Sequence, residues 1–130
     1  MDNVKVRSIS IKEMESNIFK FMDFPEVVGI SSKWLLHKTN FYGLFLNNSL
    51  IGIARLCNKN EIAKLKLIEI KKDYQNQGYG SYFLAKLENI AKNIKKCNRI
   101  RLCPRDYRVY DFYKQNKYEF IHEHLMLKEI

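Results

Sequence analysis

The spacing of apolar and polar residues predicts that the chain begins with one strand and two helices. Residues 4–9 alternate apolar and polar side chains, as a half-exposed strand does. Ser10 and Glu13 then form a capping-box signature, and apolar residues recur at helical spacing as far as Asp23. Pro25 suits the first turn of a second helix. We therefore expect two helices before the main run of strands.

Three strands joined by two turns are predicted next. Residues 41–46 and 50–56 are rich in β-branched, aromatic and aliphatic side chains, and 47–49 between them has the composition of a tight turn. A second turn over 58–61 leads into a strand over 62–70. These segments predict a β-hairpin that is extended by a third strand.

The third of these strands changes parity along its length. Its apolar residues occupy odd-numbered positions as far as Leu67 and even-numbered positions from Ile68 onward. Because a one-residue slip sends side chains to the opposite face, a β-bulge between about Lys66 and Ile68 would restore a single apolar face. Glu69 then joins Lys64 and Lys66 on the polar face. A two-sided or edge strand without a bulge is the alternative.

The remainder of the chain predicts a crossover unit followed by two strands. An apolar stripe at helical period runs to Lys95, and residues 99–103 alternate as a strand, so the helix between the strands forms a right-handed crossover. Asp106 is suited to cap a short helix. Residues 118–122 and 124–130 are predicted as the last two strands.

A glycine-containing segment joins the strand over 62–70 to the long helix. Gly78 and Gly80 permit positive φ and close approach of a ligand to backbone N–H groups, and the helix start adds unpaired donors and a positive dipole end. A dinucleotide-binding fingerprint needs a third glycine, and a nucleotide P-loop needs a lysine where Ser81 follows Gly80 directly. The segment predicts a phosphate site of another kind.

The pattern Gln75-x-x-Gly78-x-Gly80 resembles the Arg/Gln-x-x-Gly-x-Gly/Ala pyrophosphate loop of the GNAT superfamily of acyl-CoA-dependent N-acetyltransferases. A second segment, 106–118, resembles the family pattern Asn-x-x-Ala-x-x-Phe-Tyr-x-x-x-Gly-Phe/Tyr. It keeps Phe112, Tyr113 and Tyr118 in register but has Asp106, Val109 and Lys117 in place of the asparagine, alanine and glycine. The resemblance covers about half of the chain, from Ile62 to Ile130.

The resemblance implies an α/β (α+β) fold with a mixed, largely antiparallel sheet of six to seven strands, flanked by about four helices, whose central strand is bulged and splayed. It also implies acetyl-CoA as cosubstrate. The residues it assigns to the cofactor are Ile68, Ile70, Gln75, Asn76, Gln77, Gly78, Tyr79, Gly80, Ser81, Asp106 and Phe112.

The resemblance assigns the leaving-group step to Tyr113, and the strand that precedes the loop offers residues for the other steps. Tyr113 would donate a proton to the departing CoA thiolate, and the freed amide of Ile70 would face the tetrahedral oxyanion. Glu69 is the best-placed base for the amine, although it would equally pair with a neighbouring lysine or arginine. The alternative bases are His37, His122 and His124. Packing of a short helix on the sheet is the alternative for the Phe112–Tyr113 pair, and it is the expected role of Phe112.

Composition limits the remaining choices. With 130 residues, 1–130 is expected to be a single domain. No run reaches the length of a membrane span and no secretory signal is evident, so a soluble cytoplasmic protein is expected. The three cysteines form no CxxC pair, which predicts buried thiols and no metal. The net charge of +9 favours anionic partners, or simply keeps the protein soluble.

Two groups near the end of the fifth strand carry no assigned role. Arg99, Arg101, Arg105 and Arg108 crowd one short region, where they would pair with a phosphate, contact RNA or lie solvated, the last being the default. Cys103 has no neighbouring base to activate it, so a buried thiol is expected rather than a nucleophile.

The predicted function is acetyl transfer from acetyl-CoA directly to a primary amine of a small molecule, without metal or covalent intermediate. A phosphorylated amino sugar suits the positive charge. A protein amine or an aminoacyl-tRNA is the alternative acceptor, and a non-catalytic, basic nucleic-acid-binding module is the alternative of another class. Nucleic acid is not favoured as a partner, no membrane partner is expected, and a homodimer is an open alternative.

Overall fold

In the computed structural model, which describes residues 3–21 and 39–130, seven strands form one sheet in the order β1-β2-β3-β4-β5-β7-β6. The strands are β1 (Val4–Ile9), β2 (Thr39–Leu46), β3 (Ser49–Lys59), β4 (Ile62–Ile70), β5 (Arg99–Leu102), β6 (Glu119–His122) and β7 (Leu125–Glu129). Every neighbouring pair is antiparallel except β4 and β5. The predicted mixed, largely antiparallel sheet is therefore confirmed.

Three α-helices accompany the sheet in the described part of the chain. They are α1 (Ile11–Asn17), α2 (Tyr79–Asn93) and α3 (Tyr110–Gln115). The capping box is confirmed, because the Glu13 N–H donates to Ser10 Oγ at 3.0 Å and the Ser10 N–H donates to the Glu13 carboxylate at 3.3 Å. The predicted helix end at Asp23 and the second helix from Pro25 lie outside the described residues. None of the described helices is long and apolar enough to cross a membrane.

The β2–β3 hairpin is closed by two asparagines in the left-handed region. Asn47 has φ 49° and Asn48 has φ 69°, as a two-residue hairpin turn of the mirror-image type requires. Asparagine tolerates this conformation better than most residues. The turn that leads into β4 uses Asn60 in the same way, with φ 56°.

The predicted β-bulge lies in β4. Leu56 of β3 is opposite Leu65, and the next residue back, Arg55, is opposite Leu67, so Lys66 is the extra residue. One expectation was wrong: Leu67 does not share a face with Leu65, because the bulge falls between them.

The bulge divides the apolar residues of β4 between two cores. On the α2 side, Ile68 and Ile70 join Ala63 and Leu65. On the opposite side, Leu67 packs with residues from the first three strands, from α1 and from the 3-10 turn that follows α1, which are Ile9, Met14, Ile18, Phe41 and Ile53. The sheet is therefore covered by helices on both faces.

The parallel pair β4–β5 is short. Pairing covers only Ile62–Lys64 against Arg99–Arg101. From Leu65 to Ile70, β4 continues along β3, while no described strand pairs with its other edge. The strands therefore splay, as predicted, and leave one edge of β4 open.

Candidate active site

The loop from Gln75 to Ser81 is tied to the end of β4. The Gln75 side-chain amide donates to the Ile70 carbonyl at 2.8 Å, and the Gln77 amide donates to the Asp73 carbonyl at 3.0 Å. Asn76 has φ 61° and Gly78 has φ 89°, both in the left-handed region. These contacts and conformations fold the segment back toward the open strand edge.

The N-terminus of α2 faces out of this loop. Gly78 is its N-cap, and as glycine it brings no side chain to satisfy the first-turn donors. The Tyr82 N–H makes the first intrahelical bond, to the Gly78 carbonyl at 3.1 Å. The preceding N–H groups of the helix have no intrahelical acceptor, and the helix dipole adds positive potential. This end of a 15-residue helix can hold an anion such as a phosphate.

Gly80 lets α3 pack closely against the start of α2. A Cβ at Gly80 would lie 3.2 and 3.3 Å from two atoms of the Phe112 ring. The Asn116 amide donates to Ser81 Oγ at 3.2 Å and to the Phe112 carbonyl at 2.8 Å. The structure therefore places Phe112 against the glycine loop, although the two are more than thirty residues apart.

The open edge of β4 presents backbone groups to the splayed gap. The Lys71 N–H donates to the Ile51 carbonyl at 2.8 Å, so this residue bonds toward β3. In an antiparallel ladder the direction alternates, which turns the N–H and C=O groups of Ile70 and Ile68 away from β3. The Ile70 carbonyl accepts from Gln75, and the Ile70 N–H points into the gap.

Glu69 lies across this gap from the segment that follows β5. It is opposite Ile53, which belongs to the α1-side core, so its side chain is on that face of the sheet. Its carboxylate forms an ion pair with Arg105, and only 14% of the side chain is exposed. Of the partners left open by the sequence, the structure selects an arginine just beyond the neighbouring strand.

Tyr113 is a buried side chain of α3. Its ring makes edge contacts with Phe112 at 5.1 Å and Tyr118 at 5.8 Å between centroids. Within the described residues its hydroxyl forms no hydrogen bond, although 8% of the residue is exposed. Burial raises the pKa of Tyr113 to about 12, and the charge of Arg105 lowers it in part. The hydroxyl is therefore protonated and able to donate at neutral pH.

Arg105 is the site residue that sequence reasoning missed. It pairs with Glu69 and is close enough to Tyr113 to affect the pKa of that phenol. The arginine cluster was visible in the sequence, but its default assignment was to solvent. Arg105 therefore pairs directly with Glu69, and its charge also reaches Tyr113.

Asp106, which was predicted to contact the cofactor, is bonded to Arg108. Its carboxylate accepts from the backbone N–H of Arg108 at 2.9 Å and from the Arg108 guanidinium at 3.1 and 2.9 Å. These bonds lower the pKa of Asp106, with the side-chain hydrogen bond as the largest cause. Its predicted capping role is confirmed for the short turn that leads into α3.

The remaining candidates are the histidines and the cysteines. His37 lies outside the described residues, whereas His122 and His124 are exposed. Cys103 is also exposed, so the expectation of a buried thiol was wrong there; only Cys97 among the three cysteines is buried. In the described ranges no three His, Cys, Asp or Glu side chains are grouped so as to hold a metal ion. A cavity of about 730 Å³ between β1 and α2 touches none of the predicted site residues.

A largely antiparallel sheet with one splayed parallel pair, and a glycine turn where the splayed strand meets a helix, are typical of the fold class of acyl-CoA-dependent acetyltransferases. Comparison with known families agrees. The chain matches the Acetyltransferase (GNAT) family over residues 9–118. Because this match covers most of its length, the chain belongs to the GNAT family, and it is accordingly an acyltransferase.

Solved structures of this family share the fold across nearly the whole chain. The PaiA N-acetyltransferase of Thermoplasma acidophilum, in complex with coenzyme A, is 21% identical with a TM-score of 0.73, covering 98% of this chain and 99% of that one. A GNAT acetyltransferase of Elizabethkingia anophelis with acetyl-CoA bound is 17% identical, with a TM-score of 0.76 and complete coverage of both chains. The ribosomal-protein-S18-alanine N-acetyltransferase of Escherichia coli is 15% identical, with a TM-score of 0.76, covering 98% and 94%. No match was found among curated proteins.

Proposed function

We propose that this chain transfers the acetyl group of acetyl-CoA directly to a primary amine of a small molecule. The observation that carries the proposal is that the open strand edge, the glycine loop, the start of α2 and the helix α3 adjoin one another. The open edge of β4 runs into a positive-φ loop and an N-terminus of α2 without a side-chain cap. Tyr113, whose hydroxyl bonds to no described residue, lies in α3, which packs against that loop.

Binding of the cosubstrate is assigned to the loop and the strand edge. The backbone amides of Gln75–Ser81 would hold the pyrophosphate, since helix N-termini and glycine loops bind phosphate through N–H groups. The outward backbone groups of Ile68 and Ile70 would pair with the amide-bearing pantetheine arm, much as a further strand would. Phe112 supports the loop through Gly80. Asp106 would act indirectly, by capping the turn before α3.

The chemistry is assigned to Glu69, Ile70 and Tyr113. Glu69, directly or through water, would take the proton that a protonated amine must lose before it attacks the thioester carbon. The Ile70 N–H would donate to the carbonyl oxygen as charge develops there. The carbon–sulfur bond then breaks, and the sulfur leaves as a thiolate beside Tyr113.

The role of Tyr113 follows from its pKa. A thiol titrates near 8.5, so a phenol with a pKa of about 12 is the weaker acid, and complete proton transfer to a free thiolate is uphill. Tyr113 is therefore assigned to a hydrogen bond that stabilises the charge growing on sulfur while the bond is breaking. Arg105, as the nearby cation, would favour the same charge.

Acetyl-CoA binding and turnover test the proposal together. At 100 times its Kd, acetyl-CoA should stabilise the protein by about 2.7 kcal/mol, seen as a higher Tm. A panel of amines, including peptide amines, scored by release of CoA thiol, should then show turnover with at least one small amine. If the rise in Tm comes from binding at the loop, Gly78→Ala should reduce it. The control Lys92→Gln, on the exposed surface of α2, should leave it unchanged. No stabilisation at millimolar acetyl-CoA would refute the proposal.

A further inference from the structure

A polar pocket lies among the described residues where β4 and β5 part. Its volume is about 440 Å³, which is the size range of small-molecule sites. The polar side chains that line it are Lys64, Lys66, Arg101, His122 and His124. None of the described residues that line the pocket is acidic, so no carboxylate among them balances these charges.

The cations of this pocket are held close together by the sheet. Lys64 and Arg101 are direct partners in the last rung of the β4–β5 pair, and Lys66 is the extra residue of the bulge. The neighbouring residues Ala63 and Ile100 belong to the α2-side core, so Lys64 and Arg101 project from the opposite face. This is also the face that carries Glu69.

None of the three cations makes an ion pair with a described residue. The ion pairs among the described residues engage other basic side chains, which are Arg7, Arg105, Arg108 and Lys128. The charge of Arg101, more than any other cause, lowers the pKa of Lys64. The described lining of the pocket therefore carries three cations and no carboxylate, which makes its wall positively charged.

Resting on the proposed transfer reaction, we infer that the acceptor amine carries an anionic group, phosphate or carboxylate, which binds among Lys64, Lys66 and Arg101. The amine would lie farther along β4, near Glu69. At about 3.3 Å per strand residue, Lys66 and Glu69 are separated by roughly 10 Å. A small acceptor whose amine and anion are no farther apart than this can reach both positions.

The pocket also explains how unsuitable amines would be excluded. An amine without an anionic group arrives as a bare cation and is repelled by the three positive side chains. Phosphate or carboxylate reverses the sign of this interaction through charge-assisted hydrogen bonds to lysine and arginine. Selectivity for an anionic acceptor therefore combines attraction of one class of amine with rejection of another.

Matched pairs of amines test the inference. An amino sugar and its phosphate ester, and an amine with and without a carboxylate, are compared by kcat/KM at saturating acetyl-CoA. The anionic member of at least one pair should be preferred by about tenfold or more. Lys64→Gln with Lys66→Gln, and separately Arg101→Gln, should bring the ratio toward one, while the control Lys92→Gln preserves it. A ratio near one in the unmodified protein, or a ratio that these pocket variants do not change, overturns the inference.

A binding measurement that needs no turnover separates this inference from the proposed function. Inorganic phosphate is titrated into the ¹⁵N-labelled protein with the loop saturated by CoA, and amide shifts are mapped. Shifts at residues 64–66 and 101–103 that disappear in the pocket variants support the inference. Shifts confined to 75–81, or none, overturn it. Failure of every amine to be acetylated refutes the proposed function instead, and leaves the mapped phosphate site as an independent result.

Discussion

Two buried tyrosines allow the same substitution to separate catalysis from stability. Tyr113 and Tyr118 pack edge to face, but their hydroxyls differ. The Tyr113 hydroxyl forms no hydrogen bond with a described residue, whereas the Tyr118 hydroxyl donates to the Glu88 carboxylate at 2.8 Å. Glu88 also accepts from Lys128 at 3.0 Å, which links α2 to the last strand. Tyr113→Phe and Tyr118→Phe therefore remove one oxygen each from very different surroundings.

The expected losses of kcat and of the free energy of unfolding follow from these contacts. If the Tyr113 hydroxyl donates to the leaving sulfur, its loss removes a hydrogen bond to a charged group, of about 1.5–3 kcal/mol, made only as the bond breaks. That lowers kcat by roughly 10- to 150-fold. Since the ring contacts are kept, stability should change little. Tyr118→Phe removes a hydrogen bond to a carboxylate in the ground state, which should lower the free energy of unfolding by roughly 1–3 kcal/mol.

The assay pairs kinetics with unfolding. Turnover is followed by release of CoA thiol at several acetyl-CoA concentrations, and the free energy of unfolding is measured with urea. We expect Tyr113→Phe to lower kcat with the KM for acetyl-CoA almost unchanged, and Tyr118→Phe to lower the urea midpoint with kcat almost unchanged. Equal kcat for the unmodified protein and Tyr113→Phe would refute the assignment of Tyr113. Equal losses of kcat in both variants would show that the loss comes from disturbed packing and not from the Tyr113 hydroxyl.

Three further predictions concern backbone conformation and pH. Gly78→Ala should lower the free energy of unfolding by about 1–2 kcal/mol, because φ at Gly78 is 89°, and urea unfolding without ligand measures this. Lys117→Gly should raise the same quantity by about 1 kcal/mol, since Lys117 ends α3 with φ 74°; no gain would mean that the lysine is not strained. Folding raises the pKa of Tyr113 to about 12, so the stabilising contribution of the protonated phenol to the free energy of unfolding should be complete below about pH 10. That contribution should be lost as pH rises toward 12, and Tyr113→Phe should flatten the fall in the free energy of unfolding over this range.

Much of the fold could be predicted because its signals are local. The bounds of β4, Ile62–Ile70, are those expected from its apolar pattern and the turns that flank it. Ser10 and Glu13 satisfy each other across a single helical turn, so their spacing alone predicts the cap. The bulge was also predictable, because one extra residue is the smallest change that shifts the parity of a strand partway along its length.

The centre of the candidate site could not be predicted in the same way. Arg105 and Glu69 are 36 residues apart and meet only because β4 and β5 splay and the segment after β5 turns back toward the gap. No spacing in the sequence records this contact, and a cluster of arginines is most often solvated. The exposed Cys103 has the same origin, because residues past the end of a paired strand lose the cover of the sheet.

The extra residue in β4 decides where the chemistry can occur. On an unbroken strand Glu69 would share a face with Leu65 and be turned into the apolar core beneath α2, where an unpaired carboxylate is strongly unfavourable. The bulge at Lys66 reverses the parity, so that Ile68 and Ile70 fill that core and Glu69 emerges on the other face, where it meets Arg105. The same bulge places Lys66 in the basic pocket. One inserted residue thus separates the apolar support of the strand from its reactive edge, and sets the carboxylate and the proposed anion site on a common face.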